Sequence, residues 1–226
     1  FQLIISSWHQ GRLRPQKIFG PPGTRDYVDQ LLMLWKAELR QRIAHEQRSS
    51  TKALEVDVTE IKDGEELNFG NLRVKTVTVM HLPVRHAFGF VFETAEEKAV
   101  ISGDTIYCPA LIEAAKGADV LLHEVFIHGE MSLVEGNRTP KTVENVASYH
   151  TLDSVVGKVA TDAEVSCLML THFAPPKFDR EKLLSTVSRD FAGPVLVGED
   201  LMTLDLARNS ISWKKMQIAL GSVNLN

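Results

Sequence analysis

Two cysteines, three tryptophans, three tyrosines and nine prolines are all that 226 residues contain of those types, and each scarcity closes off a class of protein. Cys108 and Cys167 sit in apolar surroundings and read as buried free thiols, not as the framework of a disulfide-stapled secreted domain. With 14 glycines and no internal repeat, the chain is neither collagen-like nor of low complexity. No apolar run approaches the ~20 residues that span a bilayer, so no membrane partner is expected. The opening Phe1-Gln2-Leu3-Ile4-Ile5 is short and has no basic segment ahead of it, unlike a signal peptide. Basic charge is also in short supply. Lysine and arginine number 25 against 29 acidic residues, giving a net charge of -4. Nucleic-acid binders usually carry a basic face and a high pI, so the total charge does not demand a polyanionic partner, although it says little about local patches.

What is present is ordinary globular material, 44% hydrophobic and 24% charged, enough for a core. Phe1 to Trp8 reads as the end of a helix closed by His9-Gln10-Gly11. Lys17-Ile18-Phe19 reads as a short strand, and Thr24 stands where an N-cap would open a helix running to about Glu46, with Tyr27, Leu31, Leu34 and Trp35 as its apolar stripe. From Leu54 the pattern turns to strands: around Val56 and Val58, after the Asp63-Gly64 turn through Val74 to Val79, over Phe88 to Phe92, and at Ala99-Val100-Ile101. A helix over 110–115, a strand over 120–122, a helix over 153–161, a strand over 165–170, a helix over 180–189 and a strand over 195–197 complete an alternating α/β order. The stretch 126–148 reads as a long loop, with Phe126, Ile127, Met131 and Leu133 able to wall a substrate site. No Gly-, Ser- or Pro-rich linker divides the chain, so a single domain over 1–226 is expected. The apolar stretch from Ala207 through Trp213, Met216 and Ile218 either covers the sheet or pairs two subunits in a homodimer.

Two other signals are set aside. Gly20-Pro21-Pro22-Gly23-Thr24 lacks the Gly-Lys-Ser/Thr that cradles phosphates. Arg40, Arg42, Arg48 and Lys52 read as a solvated helix face before they read as an RNA patch.

The chemistry lies in polar residues at strand ends. His81 closes the strand before it, Asp104 follows Ser102-Gly103, His123 and Glu124 end Val120-Leu121-Leu122, and His172 ends Leu170-Thr171. In α/β folds ligands gather at the carboxyl edge of the strands, so these residues would converge. Imidazole and carboxylate are ligands that zinc prefers, and a carboxylate shared by two ions offsets their repulsion.

The segments Ser102-Gly103-Asp104-Thr105, Ala118-Asp119-Val120-Leu121-Leu122-His123-Glu124, Tyr149-His150-Thr151 and Leu170-Thr171-His172-Phe173 resemble the ribonuclease Z-like branch of the metallo-β-lactamase superfamily. His81-Leu82-Pro83-Val84, Ala87-Phe88-Gly89-Phe90 and the segment from Trp8 to Thr24 fit the same branch, in the same order. The resemblance implies an αββα sandwich and a metal-dependent hydrolase with two zinc ions, or manganese or iron in their place. It implies His81 as a ligand of the first ion, Asp104 as the bridge and His172 as a ligand of the second. His150 would assist at the scissile bond, and His123 and Glu124 would support the ligands; His86 is the substitute for His81 in a shifted alignment.

One departure is large. The branch's His-x-His-x-Asp-His signature occurs nowhere in this sequence. It would precede the Phe1–Trp8 helix, which predicts that the signature and part of the first β-layer lie ahead of Phe1. The fragment alone would then be unstable and short of ligands. The acidic charge and the apolar loop favour a small ester or lactone as substrate, whereas the branch favours a phosphodiester in a tRNA precursor. A metal-free binding protein on the same fold is the third reading.

Overall fold

The computed structural model describes residues 2–219. It forms two compact units, Phe1–Lys62 and Asp63–Asn226; no linker composition marks the division.

In the first unit a π-helical turn, Gln2–Ser6, runs into α1 (Ser7–His9), followed by β1 (Gln16–Gly20), α2 (Thr24–Glu46) and β2 (Val56–Glu60), which pairs parallel to β1. Phe1 lies outside the described residues. Thr24 is the first helical residue and not the cap. Gly23, at φ 93°, takes that position, and Thr24 Oγ1 donates back to the Pro21 carbonyl. The helix start is held instead by Glu60, whose carboxylate accepts from the Gly23 and Arg25 amides, as the positive end of a helix favours. The expected apolar stripe is also rotated. Tyr27 and Leu34 are exposed, while Val28 and Leu39 are buried, with Leu31, Leu32, Trp35 and Ile43 packed beside them and the core completed by Ile4, Ile5 and Trp8. On the outer side Arg42 pairs with Glu38 and Glu46, and Arg48 pairs with Glu46 and lies 5.0 Å over the Trp8 ring. Two of the four cations of that segment are thus spent on neighbours.

The second unit is built on a seven-stranded sheet in chain order: β3 (Glu66–Phe69), β4 (Leu72–Thr78), β5 (Phe88–Glu93), β6 (Lys98–Ile101), β7 (Val120–Phe126), β8 (Leu168–Ala174) and β9 (Val195–Val197). The first four are antiparallel neighbours, and β6 to β9 run parallel. Parallel neighbours need crossovers, supplied by α3 (Pro109–Ala114), then by α4 (Pro140–Ala147) and α5 (Asp153–Asp162), then by α6 (Arg180–Val187). The loop expected over 126–148 therefore contains a helix. Thr139 opens α4, accepting from the Thr142 amide at 3.1 Å, with Pro140 in the first turn where its missing N–H costs nothing.

Strand alternation sets the layers. Leu121, Val125, Leu168 and Leu170 join the main core with Leu111 of α3, Val156 and Val159 of α5 and Leu183 of α6. Val120, Cys167 and Met169 face the other way and pack with Leu204 and Leu206. Leu204 belongs to a three-stranded antiparallel sheet, β10 (Thr203–Asp205), β11 (Ser210–Trp213) and β12 (Met216–Ala219), and Leu206 to the turn that follows β10. The stretch from Ala207 onward thus holds two short strands, β11 and β12, and its end beyond Ala219 lies outside the described residues. Helices, the mixed sheet and the small sheet follow one another in α-β-β order, three of the four layers of the expected αββα sandwich.

Candidate metal centre

Four polar side chains meet where β4, β6 and β8 end and the segment after α4 returns. Beyond β4 the chain passes through Val79 and Met80 to His81. Its Nδ1 lies 2.9 Å from the Tyr149 carbonyl, which can only accept, so Nδ1 donates and Nε2 is on the other side of the ring. That Nε2 is 3.8 Å from Asp104 Oδ2.

Asp104 follows β6 through Gly103, which adopts φ 60°; a Cβ there would come 2.4 Å from the Phe88 carbonyl oxygen, so only glycine fits the turn. His172 is reached by a different device. The β7–β8 ladder shifts register between Glu124 and Val125, leaving His172 as the extra residue, with φ 46°. This bulge turns its Nδ1 to 3.5 Å from Asp104 Oδ1. The two carboxylate oxygens of Asp104 thus face two different histidines.

His150 completes the group. Its ring stacks on Phe126 at 6.0 Å and on His172 at 5.9 Å, with the His81 ring at 5.0 Å. Its Nδ1 is 3.0 Å from Glu124 Oε1, leaving Nε2 available. The same Glu124 oxygen accepts from the Thr105 and Thr151 amides at 3.2 and 3.0 Å, and the Thr151 hydroxyl donates to the Thr105 carbonyl. Glu124 is 2% exposed. Burial by itself lowers the His150 pKa, but the hydrogen bond and charge of Glu124, with the more distant Asp104, outweigh it and raise the net value.

The arrangement fits a pair of divalent ions. His81, Asp104 and His150 offer donor atoms within 4.8 Å of one another, as do Glu124, His150 and His172. Two ligands at ~2.1 Å from a tetrahedral zinc lie about 3.4 Å apart, close to the separations of Asp104 from its two histidines. Each group holds three donors, one short of a four-ligand set, and His150 is common to both. The His-x-His-x-Asp-His segment that would add more is not in the sequence.

His123 does not join the group. It is fully buried on the same strand parity as Leu121 and Val125, with Nδ1 2.7 Å from the Glu124 carbonyl. Burial lowers its pKa, so it is neutral. His86 is exposed and outside the cluster. The sequence points to no role for the Tyr149 carbonyl or the Thr105 and Thr151 amides, and it offers Phe126 as a wall of a substrate site, where the structure stacks its ring on His150. Backbone groups carry no side-chain signal; only the Phe126 position, two residues beyond Glu124 on one strand face, was open to inference.

Residues 11–173 match the family model described as a beta-lactamase superfamily domain. The chain belongs to the beta-lactamase superfamily. It is a hydrolase of the metallo-β-lactamase fold, and that fold implies divalent metal ions. Curated relatives of this superfamily member include the ribonuclease Z of Mycobacterium marinum, 27% identical over 209 residues, covering 90% of this chain and 73% of the relative. A putative ribonuclease Z of Mycobacterium tuberculosis is also 27% identical, covering 90% of this chain and 91% of the relative. Among solved structures, the metallo-beta-lactamase fold protein YhfI of Bacillus subtilis superposes with a TM-score of 0.61 at 16% identity, covering 86% of this chain and 65% of that one. Human tRNase Z, short form, superposes at 0.54 and 19% identity, covering 88% and 70%.

Proposed function

We propose that this protein hydrolyses a phosphodiester bond in RNA of the tRNA-precursor type, at the centre formed by His81, Asp104, His150 and His172. The observation that carries the reading is Asp104 set between His81 and His172, beside a histidine anchored by a buried carboxylate. The names of the curated relatives support the substrate class.

His81, Asp104 and His172 would hold the ions, which when bound supply Lewis acidity to the phosphate and to the attacking water. The Tyr149 carbonyl fixes the His81 ring so that Nε2 faces the centre. Asp104 turns one oxygen toward each of the two histidines and would supply the negative charge that two cations need to sit together. His150 acts on the leaving group. Water oxygen adds to phosphorus, the P–O bond to the leaving oxygen breaks, and that oxygen takes the proton from His150 Nε2. The proton lost by the water returns through solvent to re-protonate His150. Glu124 fixes the ring through Nδ1 and favours its protonated form, the state a general acid needs.

Zinc is the proposed ion, because imidazole with carboxylate is a donor set it favours. The test pits the zinc-loaded full chain against a tRNA precursor with a 3′ extension and against p-nitrophenyl butyrate. Endonucleolytic cleavage of the RNA, abolished by a chelator, supports the reading. Turnover of the ester with intact RNA would replace it by the small-ester reading.

A further inference from the structure

The parallel strands have a second end. At the amino edge of β6 to β9, remote from the metal centre, a cleft of about 800 Å3 opens between the helical layer and the three-stranded sheet. A volume of roughly 300–1,000 Å3 is that of small-molecule sites. Along β8 alone, Cys167 in this cleft and His172 in the centre are separated by roughly 15 Å at the rise of a strand.

The floor is apolar. Val165, Cys167 and Phe191 are buried there, and Leu204 and Leu206 close it from the small sheet. Burial pushes the Cys167 thiol up to about 11, so it adds no charge.

The rim is of one sign. Glu96, Glu97, Asp119 and Glu164 line it, and no lysine or arginine does. None of these four carboxylates takes part in an ion pair among the described residues. Asp119 Oδ2 accepts from the Lys98 amide, a neutral partner, at 2.7 Å. Two of the acids are pre-placed, since the Glu96 and Glu97 amides donate to Thr94 Oγ1 and so fix the β5–β6 turn. Glu97 and Asp119 are half-buried, where a missing counter-charge is felt more than at a fully exposed position.

We infer that this cleft binds a small organic cation, an amine or guanidinium carried on an apolar or aromatic body. The body covers the Val165–Phe191–Leu204 floor and the cationic head meets the carboxylates of the rim. An anion of the same shape is repelled, and a neutral one gains the floor alone.

Three probes of one shape separate these terms: tryptamine, tryptophol and indole-3-acetate, titrated into the full chain by calorimetry with amide shifts followed by NMR. Tryptamine is expected to bind best, to move the Cys167 and Leu204 amides, and to weaken with added salt. The rim double variant E97Q/E164Q should lose about fivefold for tryptamine and leave tryptophol unchanged. Ala192→Trp at the exposed mouth should block both. Phosphodiester cleavage by both variants should equal that of the parent, since neither touches the metal centre. Equal binding of the three probes, or tryptamine affinity unchanged in E97Q/E164Q, would overturn the inference. So would binding of an oligolysine peptide without binding of tryptamine, which would make the rim a protein-docking surface.

Discussion

The two ends of the same four strands are organised in opposite ways. At the carboxyl edge the polar groups are tied to one another: a single Glu124 oxygen accepts from His150, Thr105 and Thr151, and the Tyr149 carbonyl orients His81, while the other Glu124 oxygen, Oε2, is buried without a hydrogen-bond partner. At the amino edge four carboxylates take part in no ion pair among the described residues and surround an apolar floor. A pre-paired network holds side chains in one geometry, as chemistry requires. Unpaired charge over greasy surface holds nothing, but it selects what binds. The shared middle, built from Leu121, Leu168 and Val100, each fully buried, keeps both edges in register.

The comparison can be broken at several points. Asp104→Ala should have the largest effect, a loss of about 10^3-fold in RNA cleavage together with metal content, because one carboxylate serves both histidines. Plasma mass spectrometry and single-turnover cleavage measure the two losses, and the amino-edge cleft should be unaffected. Leu168→Ala removes the middle and should cost about 2–5 kcal/mol in urea unfolding, impairing both edges together. Glu124→Gln keeps the shape but removes the charge, and should reduce kcat by about 10–100-fold with little change in KM.

A smaller effect concerns acid stability. His123 is buried and neutral, so its folded pKa lies below the unfolded value of about 6.5. The unfolded chain therefore binds the extra proton, and stability present above that pH is lost as pH falls. The urea midpoint should drop between pH 7.5 and pH 5, and His123→Phe should flatten that dependence. The smallest change is chemical. With its thiol near 11, Cys167 is about one part in a thousand thiolate at pH 8. Alkylation in the folded chain should be slow and should accelerate on unfolding.

Much of this was legible beforehand, for identifiable reasons. The strands at 88–92, 99–101 and 195–197 and the span of α2 follow from periodicity and turn residues. β3 escaped because Glu66–Phe69 is only four mostly exposed residues, too short for its alternation to stand out, and is held by its pairing with β4. The face of α2 was misjudged because Tyr27 and Leu34 are apolar yet exposed, and only tertiary packing selects Val28 and Leu39. α4 was hidden in a segment whose Gly136, Asn137 and Pro140 read as loop, although Thr139-Pro140 is a helix start.

At the site, strand ends pointed to Asp104, His81 and His172, because a strand delivers its last residue to the sheet edge. His123 and Glu124 were read as a pair, but neighbours on a strand face opposite ways, so only one can serve the centre. The structure puts Glu124 there and His123 in the core. The bulge that turns His172 toward Asp104 was not readable, since it is a property of the β7–β8 pairing and not of either strand.

The most direct test is an anomalous difference map at the zinc edge from crystals of the zinc-soaked full chain. The account predicts two peaks about 3.5–4 Å apart, one on each side of Asp104, with His81 Nε2 against one and His172 against the other. Zinc peaks that touch neither Asp104 nor these histidines would contradict it.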